Sequence, residues 1–390
     1  MTNRPPGSVR KVTVTGLDVQ STGQIVVAGS LEYAPLASEP KDGRDAFVAR
    51  LFDDGAFDDT FEPATSDPSV TFEGGYLLLD RGSDGDRVLS LDVDPSTDEI
   101  TWLTHQLQYE HSDEEALLWR ISFATPGGVV EAPTLAGTRD LVLVPRLDRD
   151  PGKLLFSSYG SLPQVCSIAP PAPRTCQSLE AAFSDRGLTA SLAFGVEYGG
   201  EDGGYYWGVT ATGGVGLAKF DRDFNPSTTF AAGVGYVLAT PTAAGAGSTY
   251  RLTAVAAEGQ GGVFVAGYTV ASPVKRTPFL LKFHRDGSGL DMSFGHQGRV
   301  VGAAGPLVGW PCLLVDDRGD LWSAGLDARG PLVVRWAPDG TPETTLHDPA
   351  WRFTPERCAL DAAERLLVAG GGRGDDGYAA LKVLRILKAR

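Results

Sequence analysis

One stretch, Tyr250–Val301, sets what this chain can fold into. It reads YRLTAVAAEGQGG, VFVAGYTV, a polar insertion ASPVKRTP, then FLLKFHRDG and LDMSFGHQGRVV. Four short apolar segments, here a to d, are separated by Gly- and Asp-rich turns. Segments of this length, rich in β-branched and aromatic residues and bounded by turn formers, read as strands. The pattern recurs along the chain. Unit one has a at Val14–Val19, b from Ile25, c from Ala46 and d at Phe57–Phe61. The units cover about 14–62, 68–108, 116–160, 188–236, 250–301, 309–346 and 356–387. The seventh lacks its own segment d. Helical caps with a 3.6-residue period are nearly absent.

Three alignments carry the repeat. Segment b ends in Ala-Gly at Gly29, Gly267, Gly325 and Gly370, where a turn with positive φ is expected. Segment c carries one basic residue at a fixed place: Arg50, Arg146, Lys219, Lys282, Arg335 and Lys382, with Ser90 in the second unit. Asp-containing c–d turns follow in the first six units, because Asx side chains bond their own turn backbone. A repeat of roughly 40–55 residues with four strands each means a propeller. Each four-stranded sheet has two apolar faces, and a closed ring covers them all. The expected fold is therefore all-β: a seven-bladed β-propeller of four-stranded antiparallel blades, one domain over residues 1–390. Residues 8–13 are expected to close it as a strand in the last blade.

These repeats resemble the delta-60 repeat family of bacterial β-propeller proteins. The likeness is carried by LDVQSTGQIVVAG…FVARLFDDGAFDDTF, VFVAGYTV…FLLKFHRDGSGLDMSFGHQGRVV, VDDRGDLWSAG…LVVRWAPDG and LDAAERLLVAG. It implies a propeller, often in exported or surface proteins, and it brings no catalytic residues.

Charge and turn content narrow the partners. The formal net charge is −15. Nucleic-acid binding draws on cationic contacts to phosphate, so nucleic acid is disfavoured, as is an anionic membrane. The 49 Gly and 26 Pro are spread between apolar runs, as many short strands require. No run approaches the roughly 18 apolar residues of a membrane helix, so no membrane insertion is expected. The N-terminal sequence lacks the apolar core of a signal peptide. The chain is expected to be cytoplasmic, or extracytoplasmic or at the cell surface if an export signal has been removed, and a monomer.

The four cysteines leave the compartment open. Cys166 and Cys176, in VCSIAPPAPRTC, either close a small disulfide ring, which would indicate an oxidising compartment, or are two unrelated thiols. Cys312 and Cys358, at matching places in PCLLV and RCALD, are expected to be small buried apolar residues.

Candidate chemistry is sparse. The periodic basic residues read as partners for the Asp of neighbouring turns rather than as an anion ring. Asp80–Asp86, Asp92–Glu99 and Asp221–Asn225 are rich in oxygen ligands of the kind calcium takes, but none fits the EF-hand spacing and turn chemistry accounts for them. His105 and His111 have no helical zinc spacing and read as an acidic loop. No GxSxG, HExxH or Walker sequence occurs. GGGRGDDG (Gly370–Gly377) leads into a strand, not a phosphate-binding helix. No catalytic and no metal residues are assigned, and no cofactor beyond calcium is considered.

The long segments are more informative. Leu31–Arg44 and Val270–Pro278 read as b–c loops, and Gln106–Glu115 and Ser161–Arg186 as d–a connections. All four fall on one face of a ring. Long loops on a rigid scaffold usually carry binding, which singles out Tyr33, Tyr109, Glu110, Lys275 and Arg276. The expected function is a non-catalytic binding or protein-interaction scaffold with a protein or glycan ligand. The alternative is a metal-assisted hydrolase or lactonase, with several carboxylates converging on a central channel.

Overall fold

A computed structural model describes residues 9–386, apart from 35–42, 63–67, 81–85, 95, 108–113, 122–128, 132–134, 137–139, 144–152, 158–163, 168–174, 180–182, 184–186, 197–203, 242–248, 258–260, 273–274, 306–308, 317, 328, 349 and 375–376. For strands between 106 and 177, except Ile121, and for 190–196, only the backbone course is described. The described chain is all-β and its sheets are antiparallel. Among the described residues no helix is long and apolar enough to cross a membrane.

The strands form seven sheets. Sheet one holds β1 (Val9–Val19), β2 (Ile25–Tyr33), β3 (Arg44–Leu51), β4 (Val70–Glu73) and β5 (Tyr76–Leu79), ordered β1-β2-β3-β5-β4. Sheet two holds β6 (Asp86–Val93), β7 (Ile100–Leu107), β8 (Glu114–Ile121), β9 (Val129–Glu131) and β10 (Leu135–Ala136). Sheet three runs β11 (Asp140–Leu143), β12 (Lys153–Ser157), β13 (Gln164–Ser167) and β14 (Thr175–Ser178). Sheet four runs β15 (Thr189–Val196), β16 (Tyr205–Ala211), β17 (Gly214–Phe220) and β18 (Tyr236–Ala239). Sheet five runs β19 (Thr249–Ala257), β20 (Gly262–Ser272), β21 (Lys275–His284) and β22 (Arg299–Val301). Sheet six runs β23 (Gly309–Val315), β24 (Leu321–Asp327), β25 (Gly330–Trp336) and β26 (Pro342–His347). Sheet seven has three strands, β27 (Arg357–Leu360), β28 (Leu366–Arg373) and β29 (Ala379–Ile386).

Sheets four to seven follow the units read from sequence, although the last strand of sheet four is Tyr236–Ala239 and not the STTFAAG run before it. Units two and three do not. VTFEGG and YLLL form a hairpin through Gly74 and Gly75, both at positive φ, and β5 adds to β3 as the fourth strand of sheet one. Sheet two begins at Asp86, and the supposed Ser161–Arg186 connection holds the last two strands of sheet three. Alternating apolar pattern identifies strands, but it does not say which edge a hairpin joins.

The N-terminal clasp is also corrected. Residues 9–13 belong to β1 and pair with β2, starting at Val9 opposite Tyr33; they do not pair with β29. The first and last sheets meet face to face instead. Val12, Val14, Val27, Phe47 and Ala49 pack with Leu367 and Ala369. The strand b sequence is apolar at consecutive positions because both of its faces are buried. Val26 and Ala28 face sheet two, against Val88, Ile100 and Trp102. Ile25 and Val27 face sheet seven. The first strands of the sheets touch in chain order, β1 on β6, β11, β15, β19, β23 and β27, and β27 touches β1 again.

The repeated glycines have a different cause from the one expected. None of Gly29, Gly267, Gly325 and Gly370 has positive φ; each lies within a strand. The first strands of sheets one, five and six carry a register shift at the facing point, between Val14 and Gly16, Leu252 and Ala254, and Gly309 and Cys312. Such a bulge bends the strand and pushes a backbone carbonyl onto the glycine. A Cβ would strike Thr13 O at Gly29, Arg251 O at Gly267, Gly309 O at Gly325 and Thr354 O at Gly370.

Cys312 and Cys358 are not separate buried thiols: they form a disulfide with Cα atoms 5.6 Å apart. Their repeat positions differ by one residue. Cys312 pairs with Ala324 and Cys358 with Val368, one place further from the Ala-Gly glycine. A shift of one residue turns a strand side chain to the opposite face. On neighbouring sheets those opposite faces meet. Gly16 and Leu91 occupy the corresponding places between sheets one and two. Cys166 and Cys176 stand opposite each other in the β13–β14 ladder, and their side chains lie outside the described residues.

Two outcomes follow. Gly267→Ala should destabilise by about 1–3 kcal/mol, read as a lower denaturation midpoint, while Gly23→Ala, where nothing lies within 4 Å, pays only the φ +91 strain. Alkylation mass mapping should find Cys312 and Cys358 protected until reductant is added. Closing a loop over a sequence separation of 46 residues predicts a loss of up to about 4 kcal/mol on reduction.

Candidate functional site

The periodic basic residues serve packing. Arg50 Nε lies 2.7 Å from the fully buried Asp58 carboxylate, and its guanidinium sits 4.9 Å from the Phe61 ring centroid. Lys282 Nζ is 3.4 Å from Asp291 and 5.2 Å from the Phe264 ring. Arg335 pairs with Asp320 and lies over Trp322; Lys219 lies over Tyr206. Each cation covers an aromatic ring while its charge is met by a turn carboxylate or a ring face. Arg146 lies outside the described residues. In the last sheet the equivalent residue is Arg385, opposite Leu367, and not Lys382, which stands opposite Gly370. Arg385 and Arg365 converge on Asp361 and Asp53, tying sheet seven to the c–d turn of sheet one.

Residues 81–85 of the Asp80–Asp86 cluster lie outside the described residues, while the other two acidic clusters hold turns. Asp94 Oδ1 accepts from Ser96 N and Oγ, and Asp221 Oδ1 accepts from the backbone N–H groups of Asp223 and Asn225. The same arrangement holds at Asp291, Asp316, Asp339 and Asp361. Among the described residues no group of three or more His, Cys, Asp and Glu side chains is placed to hold a metal ion. His105 is a buried residue of β7 rather than part of an acidic loop.

The expected loop face changes in detail. Tyr33 ends β2 and is buried, with its backbone N–H bonded to Gly43 O. Lys275 and Arg276 begin β21 and pair back onto β20, Lys275 opposite Ser272 and Arg276 opposite Val270. Arg276 lies 5.0 Å from the Tyr268 ring. Tyr33 belongs to sheet one and Lys275 and Arg276 to sheet five, each at the b–c end of its own sheet. Tyr109 and Glu110 lie outside the described residues.

An unforeseen carboxylate sits between the first strands of sheets one and two. Asp18 Oδ1 accepts from Val19 N at 2.8 Å and Oδ2 from Val93 N of β6 at 3.0 Å. Asp92 occupies the matching place on β6, each being one residue before the strand's last pair. Desolvation, with a smaller contribution from the Asp92 charge, raises the Asp18 pKa to about 7. Both of its oxygens are engaged by backbone donors, so its effect is on cohesion between sheets.

A second contact of this kind joins sheets seven and one. Glu356 accepts from Val14 N at 2.6 Å and Gly371 N at 3.2 Å, and Arg357 Nε donates to Thr15 O at 2.8 Å. Burial raises the Glu356 pKa and lowers that of Arg357.

An open recess among the described residues lies on sheet seven. About 360 Å³ is lined by Ala350, Trp351, Arg352, Phe353, Arg373, Lys382, Val383 and Leu384. Trp351, Arg352 and Phe353 come from the connection leading into β27, which is held along β28 by the Phe353–Gly372 bridge and by Arg373 N donating to Arg352 O. Gly372 permits that approach, since a Cβ there would meet Arg352 O. The lining thus brings three cations beside two aromatic rings. Arg373 Nη1 donates to Gly377 O, and no carboxylate among the described residues pairs with Arg352, Arg373 or Lys382. Cations near aromatic and aliphatic walls suit a carboxylate, sulfate or phosphate group.

A pH test addresses the Asp18 contact. Its folded pKa lies above the unfolded value, so the stability it contributes is full below about pH 4 and is lost as pH rises through about 7. Glu356 acts in the same direction, while the depressed carboxylates Asp58, Asp291 and Asp361 lose their contribution only as pH falls into the acid range. Urea midpoints of the wild type should therefore decline between pH 5 and 8 more steeply than those of Asp18→Asn.

No protein-family model matches this chain. No curated protein matches it either. Among solved structures, prolyl oligopeptidase B from Galerina marginata is similar over 98% of this chain, with 9% identity and a TM-score of 0.42; the match covers 52% of that chain, so this one spans about half its length. AofleA from Arthrobotrys oligospora matches over 98% of this chain and 92% of its own, with 9% identity and a TM-score of 0.42. A protein of unknown function from Dyadobacter fermentans matches over 98% and 96%, with 10% identity and a TM-score of 0.40. None of these likenesses is close enough to carry an argument about activity.

Proposed function

We propose that the chain is a non-catalytic binding scaffold: a seven-bladed β-propeller of the delta-60 repeat kind that holds an anionic group of a protein or glycan ligand in the sheet-seven pocket. The observation that carries the function is the pocket itself. Arg352, Arg373 and Lys382 stand together with Trp351 and Phe353 on a protein whose formal net charge is −15. The field of such a chain repels anions in general, so a local cationic recess selects by position.

Support for the ring comes from the chain-order contacts of the first strands and the return contact of β27 with β1. Support for an oxidising compartment, and hence for a surface or exported location, comes from the Cys312–Cys358 bond. The test compares labelled octaglutamate with octalysine by fluorescence anisotropy. Octaglutamate should bind, and Arg352→Ser with Lys382→Ser should weaken it at least tenfold with an unchanged melting temperature. Binding that ignores both substitutions, or no binding of the anion, would move the site away from this pocket.

A further inference from the structure

We propose that β29 is a docking edge, to which an acidic, extended segment of a partner protein adds as the fourth strand of sheet seven. The proposal rests on the pocket reading above and names the partner class. Among the described residues nothing pairs with the outer edge of β29, whereas every other sheet has at least four strands.

Position is the first argument. In sheets five and six the fourth strand pairs antiparallel with Phe279–Leu281 and with Leu332–Trp336. Aligned through the glycines of strand b, Phe279 and Leu332 correspond to Lys382. The recess, which reaches across β28, is bounded on the β29 side by Lys382, Val383 and Leu384, the residues that match those carrying the fourth strand elsewhere.

Composition is the second. The equivalent third strands β3 and β17 are buried over nearly their whole length, and β21 and β25 over most of it. β29, AALKVLRI, has the same apolar make-up but is only partly buried from Ala379 to Arg385. A strand built for the interior and left half-covered is a template for pairing. Backbone bonds along an edge give affinity, while flanking pockets choose the side chains.

Charge selects the occupant. Three cations line the recess, so acidic side chains on alternate residues of an incoming strand would meet them. A second copy offering its own β29 would bring Lys382 and Arg385 and no acidic residue. The sequence Met1–Ser8 offers Arg4 and two prolines, which lack an N–H.

The probe is an eight-residue peptide alternating Glu with Val, compared with the same peptide N-methylated at alternate residues. The unmodified peptide should bind and slow hydrogen exchange at the Lys382–Arg385 amides. N-methylation, which keeps the charge but removes backbone donors, should weaken binding at least tenfold, as should Lys382→Glu. Equal binding of the two peptides, or no added protection of those amides, would overturn strand addition while leaving the anion pocket standing. Indifference to both Lys382→Glu and Arg352→Ser would instead remove the pocket reading, and strand addition with it. Concentration-dependent dimerisation blocked by Lys382→Glu, or tighter capture of a Met1–Ser8 peptide, would give the edge to this chain and overturn the proposal.

Discussion

Sheets one, four, five and six are each apolar on both faces, so none of them can stand with one side in water. The constraint is visible in strand β2, where Val26 and Ala28 serve one neighbour and Ile25 and Val27 the other. Burial on this scale, at about 25 cal/mol per Å² of apolar surface, makes neighbouring sheets mutually dependent. The first and last sheets must therefore cover each other, although they are farthest apart in sequence. They do so with an apolar layer, the Glu356 and Arg357 bonds to β1, and the Asp53, Asp361, Arg365 and Arg385 cluster.

Between the first and second strands of several sheets, backbone approaches backbone closely. A bulge in the first strand presses a carbonyl onto the glycine of the second, and the glycine leaves room for it. One residue further along, residues of adjacent sheets meet directly. Gly16 receives Leu91, and Cys312 meets Cys358. The Thr15 and Thr253 hydroxyls, both at bulges, donate to Val88 O and Trp310 O of the neighbouring sheet. Repeat letters that look like turn punctuation are thus contacts between backbones.

Much of the strand content was legible in the sequence, because period-two apolar runs bounded by Gly and Asp have few other solutions. Partnership was less so. The β4–β5 hairpin carries the same letters whether it opens a new sheet or finishes an old one, and that ambiguity displaced the second and third units. The cross-sheet disulfide was missed for a related reason: a one-residue offset between Cys312 and Cys358 is invisible without strand register. The pocket was less legible still. Trp351 and Arg352 lie in a connection, and only the fold carries them to Lys382, three residues before Arg385, which holds the periodic basic position. The one signal available was the absence of a fourth segment in the last unit.

The Cys312–Cys358 bond has a mechanical consequence. β23 and β27 are the first strands of consecutive sheets, and the bond encloses most of sheet six in a covalent loop. Tension applied to the two ends of the chain would peel β29 and then β28. At Cys358 the load would pass through sulfur directly to Cys312. From the C-terminal side, the part of sheet six between Cys312 and Cys358 would then be bypassed, and unravelling would continue from β23 toward sheet five. The protein has, in effect, a load bypass built into its last two sheets.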